Sequence, residues 1–476
     1  MANFVGRLIE RLTPHSQLID ASRGTVHSDL ESVIAGMAGT YVECGLRRGD
    51  RVVLATELNC ESALAYLACM LAGLVAVPVD PGLAEATVGE TGARCLWRPR
   101  DQVAPSARAH IELTGLTSAE PGPACESTHE DLAALMATSG SSGRSPRFVR
   151  VSHGNLVENT TAIVRSQQLG RDDKALLILP LFYCFGLSVL HTHLWAGGSV
   201  VIQRQFMFPQ KALDSLRSHA CTTIAGVPTS YMTLLDRTDY AARPCPSLRR
   251  QLQAGGALPS AVIEALRDAQ PDAGVHVMYG QTEATARISS LAPDEWDGHR
   301  GSVGRPLEGL DVTLRPIAEG GSQEIGELLV RGPSITSGYW GEPLRSDDDW
   351  FATGDLARID AEGFIYIEGR LSEFVKIRGV RVSFAEIESR LGPMRGLREV
   401  AVCGVPDPAL GEALLLVGVP EEPHPDLRAL ETAMRAALPP VWTISEVRFV
   451  SCLPRTGSGK LARGKLAGMP VLEHAP

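Results

Sequence analysis

Short apolar runs alternate with amphipathic stretches along the first two thirds of the chain. Apolar runs bounded by turn residues predict buried strands, and apolar positions at helical spacing predict helices. Strands are predicted at 51–55, 175–179, 199–203, 222–226 and 275–278. Helices are predicted at 61–71, 209–218 and 259–269. Because strands that alternate with helices pair in parallel, the pattern predicts α/β sheets covered by helices.

The pattern changes near residue 301. Residues 311–370 contain short apolar runs broken by glycine and proline, which predicts a small antiparallel barrel or sheet. Mixed patterning returns after Gly369, with strands predicted at 374–377, 399–405 and 446–449, and helices from 384 and at 426–437. This last part therefore forms a compact unit of its own.

Length and composition restrict the class of protein. A chain of 476 residues exceeds one hydrophobic core, so two or three domains are expected. The net charge of −10, without a concentrated run of lysine and arginine, argues against a nucleic-acid binder. Ten scattered cysteines without a CxxC pair indicate buried thiols rather than disulfides or a zinc site. Together with the absence of a secretory signal or membrane span in the pattern, this predicts a cytoplasmic protein.

A run of small and hydroxylated residues, Thr-Ser-Gly-Ser-Ser-Gly at 138–143, is followed within four residues by Arg147. Glycines let backbone amides converge on an anion, hydroxyls add donors, and a nearby cation neutralises charge. These residues predict a phosphate-binding loop. Taken alone they also fit an ordinary flexible Ser/Gly loop.

Six motifs follow one another along the chain: LMATSGSSGRSPRFVRVSHGNL, YGQTEATAR, GELLVRGPSITSGYW, WFATGDLARID, GRLSEFVKIRGVRVSFAEIES and LPRTGSGKLARGKL. The series resembles the core motifs of the adenylate-forming enzymes, which include acyl-CoA synthetases, adenylation domains of peptide synthetases and luciferases. The resemblance covers about residues 130 to 466, with a weaker match over the N-terminal third. It implies an α/β fold. A large N-terminal domain at 1–371 would comprise two α/β sheet subdomains and a small β-barrel-like subdomain, and a small mobile α+β domain would occupy 372–476.

The resemblance implies that a carboxylate attacks the α-phosphorus of ATP, giving acyl-AMP and pyrophosphate. Since two anions meet, cations and Mg²⁺ would lower their repulsion. The acyl group would then pass to a thiol of coenzyme A or of phosphopantetheine on a separate carrier protein. Two alternatives stay open: transfer to an amine, and a degenerate nucleotide- or acyl-binding homologue. Retention of Glu283, Asp355, Arg370 and Lys460 together disfavours the degenerate homologue.

The resemblance also assigns the contacts with ATP. The β- and γ-phosphates would be held by Thr138, Ser139, Gly140, Ser141, Ser142, Gly143 and Arg147. Here Ser142 replaces the usual threonine, Arg147 replaces the usual lysine, and the stretch 144–146 is one residue longer than the family pattern.

The remaining nucleotide contacts lie in later motifs. Tyr279 would stack on adenine, Thr282 would hydrogen-bond the α-phosphate, and Glu283 would carry magnesium. The turn Gly255-Gly256-Ala257 would pack on the adenine face, because larger side chains would not fit there. Asp355 and Arg370 would hold the ribose hydroxyls.

Lys460 in a Gly-rich loop would bridge the substrate carboxylate and the α-phosphate, where charge develops in the transition state. Ser372 falls at the hinge position, where the family more often has Asp or Lys. Lys376, Gly379 and Arg381 would form the face that receives the thiol acceptor, with Gly379 leaving room for a pantetheine arm.

The acyl substrate would contact Tyr183, which replaces a frequent histidine, and Phe185. Residues 184–187 carry no acid that could hold an α-amino group, which argues against an ordinary amino acid. The aromatic and apolar segment predicts an uncharged acyl, cyclic or aryl carboxylate. His191 and His193 have no acidic or cysteine partner nearby in sequence and are interpreted as packing residues.

Overall fold

The computed structural model of the chain describes residues 3–100, 111–114, 132–138, 147–204, 206–317, 324–346, 348–371, 373–377, 380–392, 394–407, 411–421, 426–440, 442–455 and 461–472. Four sets of predicted site residues lie outside these ranges: 139–143, Ser372, Gly379 and Lys460. The strands that contain Lys376 and Arg381 are described, but the side chains of these two residues are not.

The described residues form eleven α-helices. Most helices fall between strands, as the alternating pattern predicts. Their bounds are α1 (Phe4–Ile9), α2 (Leu30–Glu43), α3 (Cys60–Leu71), α4 (Ala84–Thr91), α5 (His153–Ser166), α6 (Cys184–Trp195), α7 (Pro209–Ser218), α8 (Pro228–Arg237), α9 (Ser260–Ala269), α10 (Phe384–Leu391) and α11 (Leu427–Ala436).

The strands of the described chain belong to four sheets. Those of the first two sheets are β1 (Leu18–Asp20), β2 (Thr25–His27), β3 (Arg51–Ala55), β4 (Val75–Val79), β5 (Cys95–Arg98), β6 (Ile111–Thr114), β7 (Leu132–Ala137), β8 (Phe148–Ser152), β9 (Lys174–Leu177), β10 (Ser199–Ile202), β11 (Thr223–Gly226), β12 (Arg250–Gln253), β13 (Gly274–Tyr279), β14 (Ser289–Leu291) and β15 (Arg305–Pro306). Those of the other two are β16 (Asp311–Pro316), β17 (Gly326–Arg331), β18 (Phe351–Ile359), β19 (Ile365–Arg370), β20 (Phe374–Ile377), β21 (Val380–Ser383), β22 (Leu397–Asp407), β23 (Gly411–Pro420) and β24 (Ile444–Phe449).

The largest sheet has nine strands in the order β15-β14-β13-β12-β11-β9-β10-β1-β2. Its central strands, from β13 to β1, pair in parallel, and β14, β15 and β2 run antiparallel to their neighbours. The predicted strands near 175, 199, 222 and 275 all lie in this parallel part. The strand β1 was not predicted: it joins by pairing Leu18 with Val200, far away along the chain.

A second, six-stranded sheet has the order β6-β5-β3-β4-β7-β8, and all its pairs are parallel except β7 with β8. Helix α3 is buried along its whole length and shares one apolar core with α1, α2, α6 and residues of both sheets. Its apolar residues have no solvent-facing side, which explains why the sequence carries no charge between Glu61 and Asp80. Among the described residues, no helix is both long enough and apolar enough to cross a membrane.

The two smaller sheets lie in the last third of the chain. Strands β16 to β19 form a four-stranded antiparallel sheet in sequence order, the small antiparallel unit predicted for 311–370. Strands β20 to β24 form a five-stranded sheet that packs with α10 and α11 around a separate apolar core. The predicted fold class is confirmed. The boundary at 371 stays a prediction.

A short segment joins the nine-stranded sheet to the four-stranded sheet. The amide of Val303 donates to the carbonyl of Ile365 at 2.9 Å, and the amide of Ile365 donates to the carbonyl of Gly304 at 3.0 Å. Gly304 has φ +84°, and a Cβ there would lie 2.0 Å from the backbone of Ser290 in β14. A side chain at this position is therefore excluded by the close approach of β14.

We expect Gly304→Ala to lower the free energy of unfolding by more than about 2 kcal/mol, because overpacking and a left-handed alanine both add cost. The control is Gly89→Ala in α4, where a Cβ would meet nothing within 4 Å. In a helix this change stabilises by about 0.5–1 kcal/mol. Thermal unfolding measures both variants, and equal melting temperatures for the two would contradict this account of the junction.

Candidate active site

The chain reverses direction directly after β13. Tyr279 ends the strand, Thr282–Ala284 form one turn of 3-10 helix, and the amide of Ile288 returns to donate to the carbonyl of Tyr279 at 2.9 Å. A Cβ at Gly280 would lie 2.0 Å from the carbonyl oxygen of Ala286. Ala286 itself has φ 119°, a strained conformation for a residue with a side chain. The tight reversal therefore holds Tyr279 and Glu283 at the strand end.

Tyr279 reaches across to the four-stranded sheet. Its hydroxyl donates to Oδ2 of Asp355 at 2.5 Å, and Nε of Arg370 donates to Oδ1 of the same carboxylate at 2.9 Å. Asp355 and Arg370 are register partners on β18 and β19, so the antiparallel pairing places them side by side. The structure thus brings together three residues that the sequence predicted for adenine and ribose.

The carboxylate of Asp355 is almost fully buried, with 3% of the residue exposed. Burial raises the pKa of Asp355, and the charge of Arg370 and the Tyr279 hydrogen bond oppose that rise. The same ion pair raises the pKa of Arg370. A carboxylate has about four lone-pair sites, so two used by Tyr279 and Arg370 leave acceptor capacity for further hydroxyl groups.

Glu283 is held from the side by the loop that follows β17. The hydroxyl of Tyr339 donates to Oε1 of Glu283 at 2.8 Å, and the amide of Thr336 donates to the Glu283 carbonyl at 2.8 Å. Burial, and then the neighbouring Glu283 carboxylate, raise the pKa of the Tyr339 hydroxyl. Oxygen ligands suit Mg²⁺, which is usually bound by one or two carboxylates together with substrate phosphates. A carboxylate fixed by one oxygen in this way fits that role.

The guanidinium of Arg147 packs on the ring of Tyr339. Its guanidinium carbon lies 3.4 Å from the centre of the Tyr339 ring, and Nη2 donates to both carboxylate oxygens of Glu342 at 2.8 and 3.0 Å. The hydroxyl and amide of Thr138 both donate to the carbonyl of Arg147. Thr138 and Arg147 therefore close the base of the Ser/Gly-rich segment, which itself lies outside the described residues. The sequence did not single out Tyr339 or Glu342.

The turn Gly255-Gly256-Ala257 follows β12. Gly255 has φ +87°, and a Cβ there would lie 3.0 Å from Cγ1 of Val227. The side-chain amide of Gln253 donates to the carbonyl of Gly256 at 2.7 Å and fixes the turn. The turn is thus packed against the start of α8, and a side chain at Gly255 would not fit.

Helix α6 begins beside Thr282. The thiol of Cys184 lies 3.7 Å from the Thr282 hydroxyl, and Tyr183 occupies the N-cap position without a side-chain capping bond. A small cavity lies between these elements. Its lining includes Cys184, Leu187, His191, Thr282, Thr285 and Tyr66. His191 is buried and packs its ring against Phe4 and Tyr66.

One charged residue beside this cavity had no predicted role. Arg287 closes the YGQTEATAR motif, is 2% exposed, and places its guanidinium carbon 4.8 Å from the centre of the Phe185 ring. Burial lowers the pKa of Arg287 to about 10. The signal available in the sequence was a lone charge at the end of this motif, two residues before strand β14.

The comparisons with known proteins agree with this geometry. A model of the AMP-binding enzyme family matches residues 15–340, and a model of the AMP-binding enzyme C-terminal domain matches residues 386–460. The chain belongs to the AMP-binding enzyme family. The predicted resemblance to adenylate-forming enzymes is confirmed.

Individual family members match over nearly the whole chain. The feruloyl-CoA synthase of an Amycolatopsis species is 30% identical, covering 96% of each chain. The sulfoacetate–CoA ligase of Cupriavidus necator is 32% identical, covering 93% of this chain and 91% of that one. The o-succinylbenzoate coenzyme A synthetase of Bacillus subtilis, solved with ATP and a magnesium ion, is 25% identical with a TM-score of 0.83. It covers 98% of this chain and 99% of its own.

The hydroxyl of Tyr279 gives a test of the Tyr279–Asp355–Arg370 cluster that does not depend on catalysis. Tyr279→Phe keeps the ring but removes the hydrogen bond to a buried carboxylate. We expect a loss of about 1–3 kcal/mol of unfolding free energy. Tyr366→Phe is the matched control, since its hydroxyl donates to the more exposed Asp360 at 3.2 Å. Equal losses in the two variants, measured by chemical denaturation, would contradict a special role for the Asp355 contact.

Proposed function

We propose that this chain activates a small carboxylic acid with ATP and transfers the acyl group to the thiol of coenzyme A. In the first step a carboxylate oxygen bonds to the α-phosphorus and pyrophosphate leaves. In the second step the thiol sulfur bonds to the acyl carbon, the thiol proton is lost, and AMP leaves. The predicted enzyme class, an AMP-forming acid–thiol ligase, is confirmed by the family and by the CoA ligases among its relatives.

The observation that carries the proposal is the cluster of Tyr279, Asp355 and Arg370 at the end of β13. Asp355 would accept hydrogen bonds from the ribose hydroxyls, with Arg370 donating beside it. The ring of Tyr279 would face adenine, and the turn at Gly255 would leave space on the adenine side. A buried carboxylate supported by a tyrosine and an arginine is preorganised, so little rearrangement accompanies nucleotide binding.

The phosphates would extend from this cluster toward Thr282 and Glu283. Thr282 would donate its hydroxyl to the α-phosphate, and Glu283 would bind Mg²⁺, which neutralises phosphate charge when bound. Arg147, with the residues at 138–143, would hold the β- and γ-phosphates. Since Arg147 and Glu342 are about half exposed, their ion pair is weak and can be exchanged for a phosphate contact.

Lys460 is proposed to stabilise the charge that develops between the carboxylate and the α-phosphate. Ser372 is proposed as the hinge, and Lys376, Gly379 and Arg381 as the acceptor face. Coenzyme A is the proposed acceptor because the relatives are named as coenzyme A synthases, synthetases or ligases. A carrier-protein phosphopantetheine is the second candidate acceptor, and the protein is proposed to act in the cytoplasm.

The direct test is ATP–pyrophosphate exchange with a panel of fatty, aryl, cyclic and dicarboxylic acids, followed by thioester formation with coenzyme A or a phosphopantetheinylated carrier. We expect exchange with at least one acid and thioester with coenzyme A. Exchange with thioester only on the carrier would reassign the acceptor. Bound ATP without exchange for any acid would instead support a non-catalytic homologue.

Lys460→Ala is expected to reduce exchange by about 10²- to 10³-fold, the usual cost of removing a group that stabilises transition-state charge. The control is Lys465→Ala, an exposed lysine in the turn of 3-10 helix Arg463–Gly468. We expect ATP binding by calorimetry to change little in either variant. Undiminished exchange in Lys460→Ala would remove this residue from the mechanism.

A further inference from the structure

Arg287 is a buried cation whose guanidinium lacks a carboxylate partner in the part of the chain that the structure describes. Its Nε has no hydrogen-bond partner there, and the acidic group that acts on its pKa is the Cys184 thiol rather than a carboxylate. Burial of an unpaired charge is costly, so proteins normally pair such groups. The charge of Arg287 is therefore unbalanced within the described chain.

Three other deeply buried arginines show the ordinary arrangement, although Nη1 of Arg150 also lacks a hydrogen-bond partner among the described residues. The three side chains are 9–13% exposed, and each donates to a carboxylate: Arg98 to Glu85, Arg217 to Asp239 and Arg250 to Asp173. Arg287 is more deeply buried than any of these three residues and has no such partner among the described residues. The difference indicates a partner from outside the described residues, and a bound ligand is the partner considered below.

The position of Arg287 indicates where that partner would bind. Its guanidinium lies over Phe185, in the first turn of α6, and next to Cys184. Cys184 lines the cavity, and α6 is a twelve-residue helix whose N-cap Tyr183 provides no side-chain capping bond. The positive end of the helix dipole and the guanidinium thus act together at this end of the cavity.

The imidazole of His276 interacts electrostatically with Arg287. Burial, followed by the charges of Arg250 and Arg287, lowers the pKa of His276 to about 4, so the ring is neutral at pH 7. Its Nδ1 is also without a hydrogen-bond partner among the described residues. The groups found against Arg287 are Phe185, Cys184 and the neutral His276, and no carboxylate is among them in the described chain, which favours an anion.

We propose that Arg287 binds a second acidic group of the acyl substrate, a carboxylate or a sulfonate, at the α6 end of the acyl cavity. This inference rests on the proposed function. The guanidinium lies against Phe185, on the acyl side of Thr282, whereas Tyr279, Asp355 and Arg370 form the nucleotide side. The sequence predicted an uncharged acid from residues 184–187 alone. A second acidic group bound by Arg287 would replace that prediction.

The test compares matched acids: succinic, glutaric, phthalic and homophthalic acids, each against its monomethyl ester. For the wild type we expect kcat/KM to be at least 10-fold higher for the free diacid in one or more pairs. In Arg287→Gln the ratio of kcat/KM for diacid over monoester should fall by about 30-fold or more, mainly because KM for the diacid rises. A loss of this size is expected when one partner of a buried charge pair is removed. Arg331→Gln, which removes an exposed arginine paired with Asp311, is the kinetic control.

Stability gives an independent readout. Without any acid, Arg287→Gln should melt at the same temperature as the wild type or higher, because it removes an unpaired buried charge. Arg98→Gln should melt lower, because it leaves Glu85 without its partner. Relative to ATP alone, adding the diacid should raise the melting temperature of the wild type further, but not that of Arg287→Gln.

Each other outcome overturns the inference in a distinct way. Equal loss of diacids and monoesters in Arg287→Gln would place the guanidinium at the reacting carboxylate or the α-phosphate. Arg287 would have only a packing role if the wild type preferred the monoester in every pair. A lower melting temperature of Arg287→Gln than of the wild type would indicate the same. If no acid supports exchange in the wild type, the proposed function fails and this inference fails with it.

Discussion

The proposed nucleotide side of the site depends on the contacts of one group, the buried carboxylate of Asp355. It lies on β18 of the four-stranded sheet and receives the hydroxyl of Tyr279 from the nine-stranded sheet. Arg370 completes its hydrogen bonds from the neighbouring strand. A carboxylate in such a place is stable only when its partners are held in position, so the two sheets must meet in one arrangement. Backbone hydrogen bonds of Val303 and Gly304 with Ile365 join the two sheets at a second place.

Charge is distributed differently on the two sides of the cavity. On the phosphate side, Glu283, Tyr339, Arg147 and Glu342 form a continuous chain of contacts in which both carboxylates have partners. On the acyl side, Arg287 lacks a carboxylate among the described residues. An enzyme of this class must bind several anions. The paired carboxylates at one end and the unpaired guanidinium of Arg287 at the other therefore indicate different ligands at the two ends.

Much of the fold followed from local patterning. The helix Pro209–Ser218 has the bounds predicted from its apolar spacing, and strands β9, β11 and β13 lie within one or two residues of prediction. Strands β1, β7 and β8 were not predicted. β1 is three residues long and pairs with a strand about 180 residues away, and such pairing leaves no periodic signal in a short segment. The five-stranded sheet likewise extends β22 beyond its predicted ends, because pairing with β23 continues it.

By itself, the sequence determined the family and predicted the residues that would carry the chemistry. Motif order and spacing are local properties of the chain, and they identified Tyr279, Asp355 and Arg370 before any contact was known. Only the tertiary structure decided which of these groups touch, because their contacts join strands of different sheets. It also decided the environment of Arg287. Whether a charged side chain has a partner depends on everything that surrounds it in space, and no spacing along the sequence contains that information.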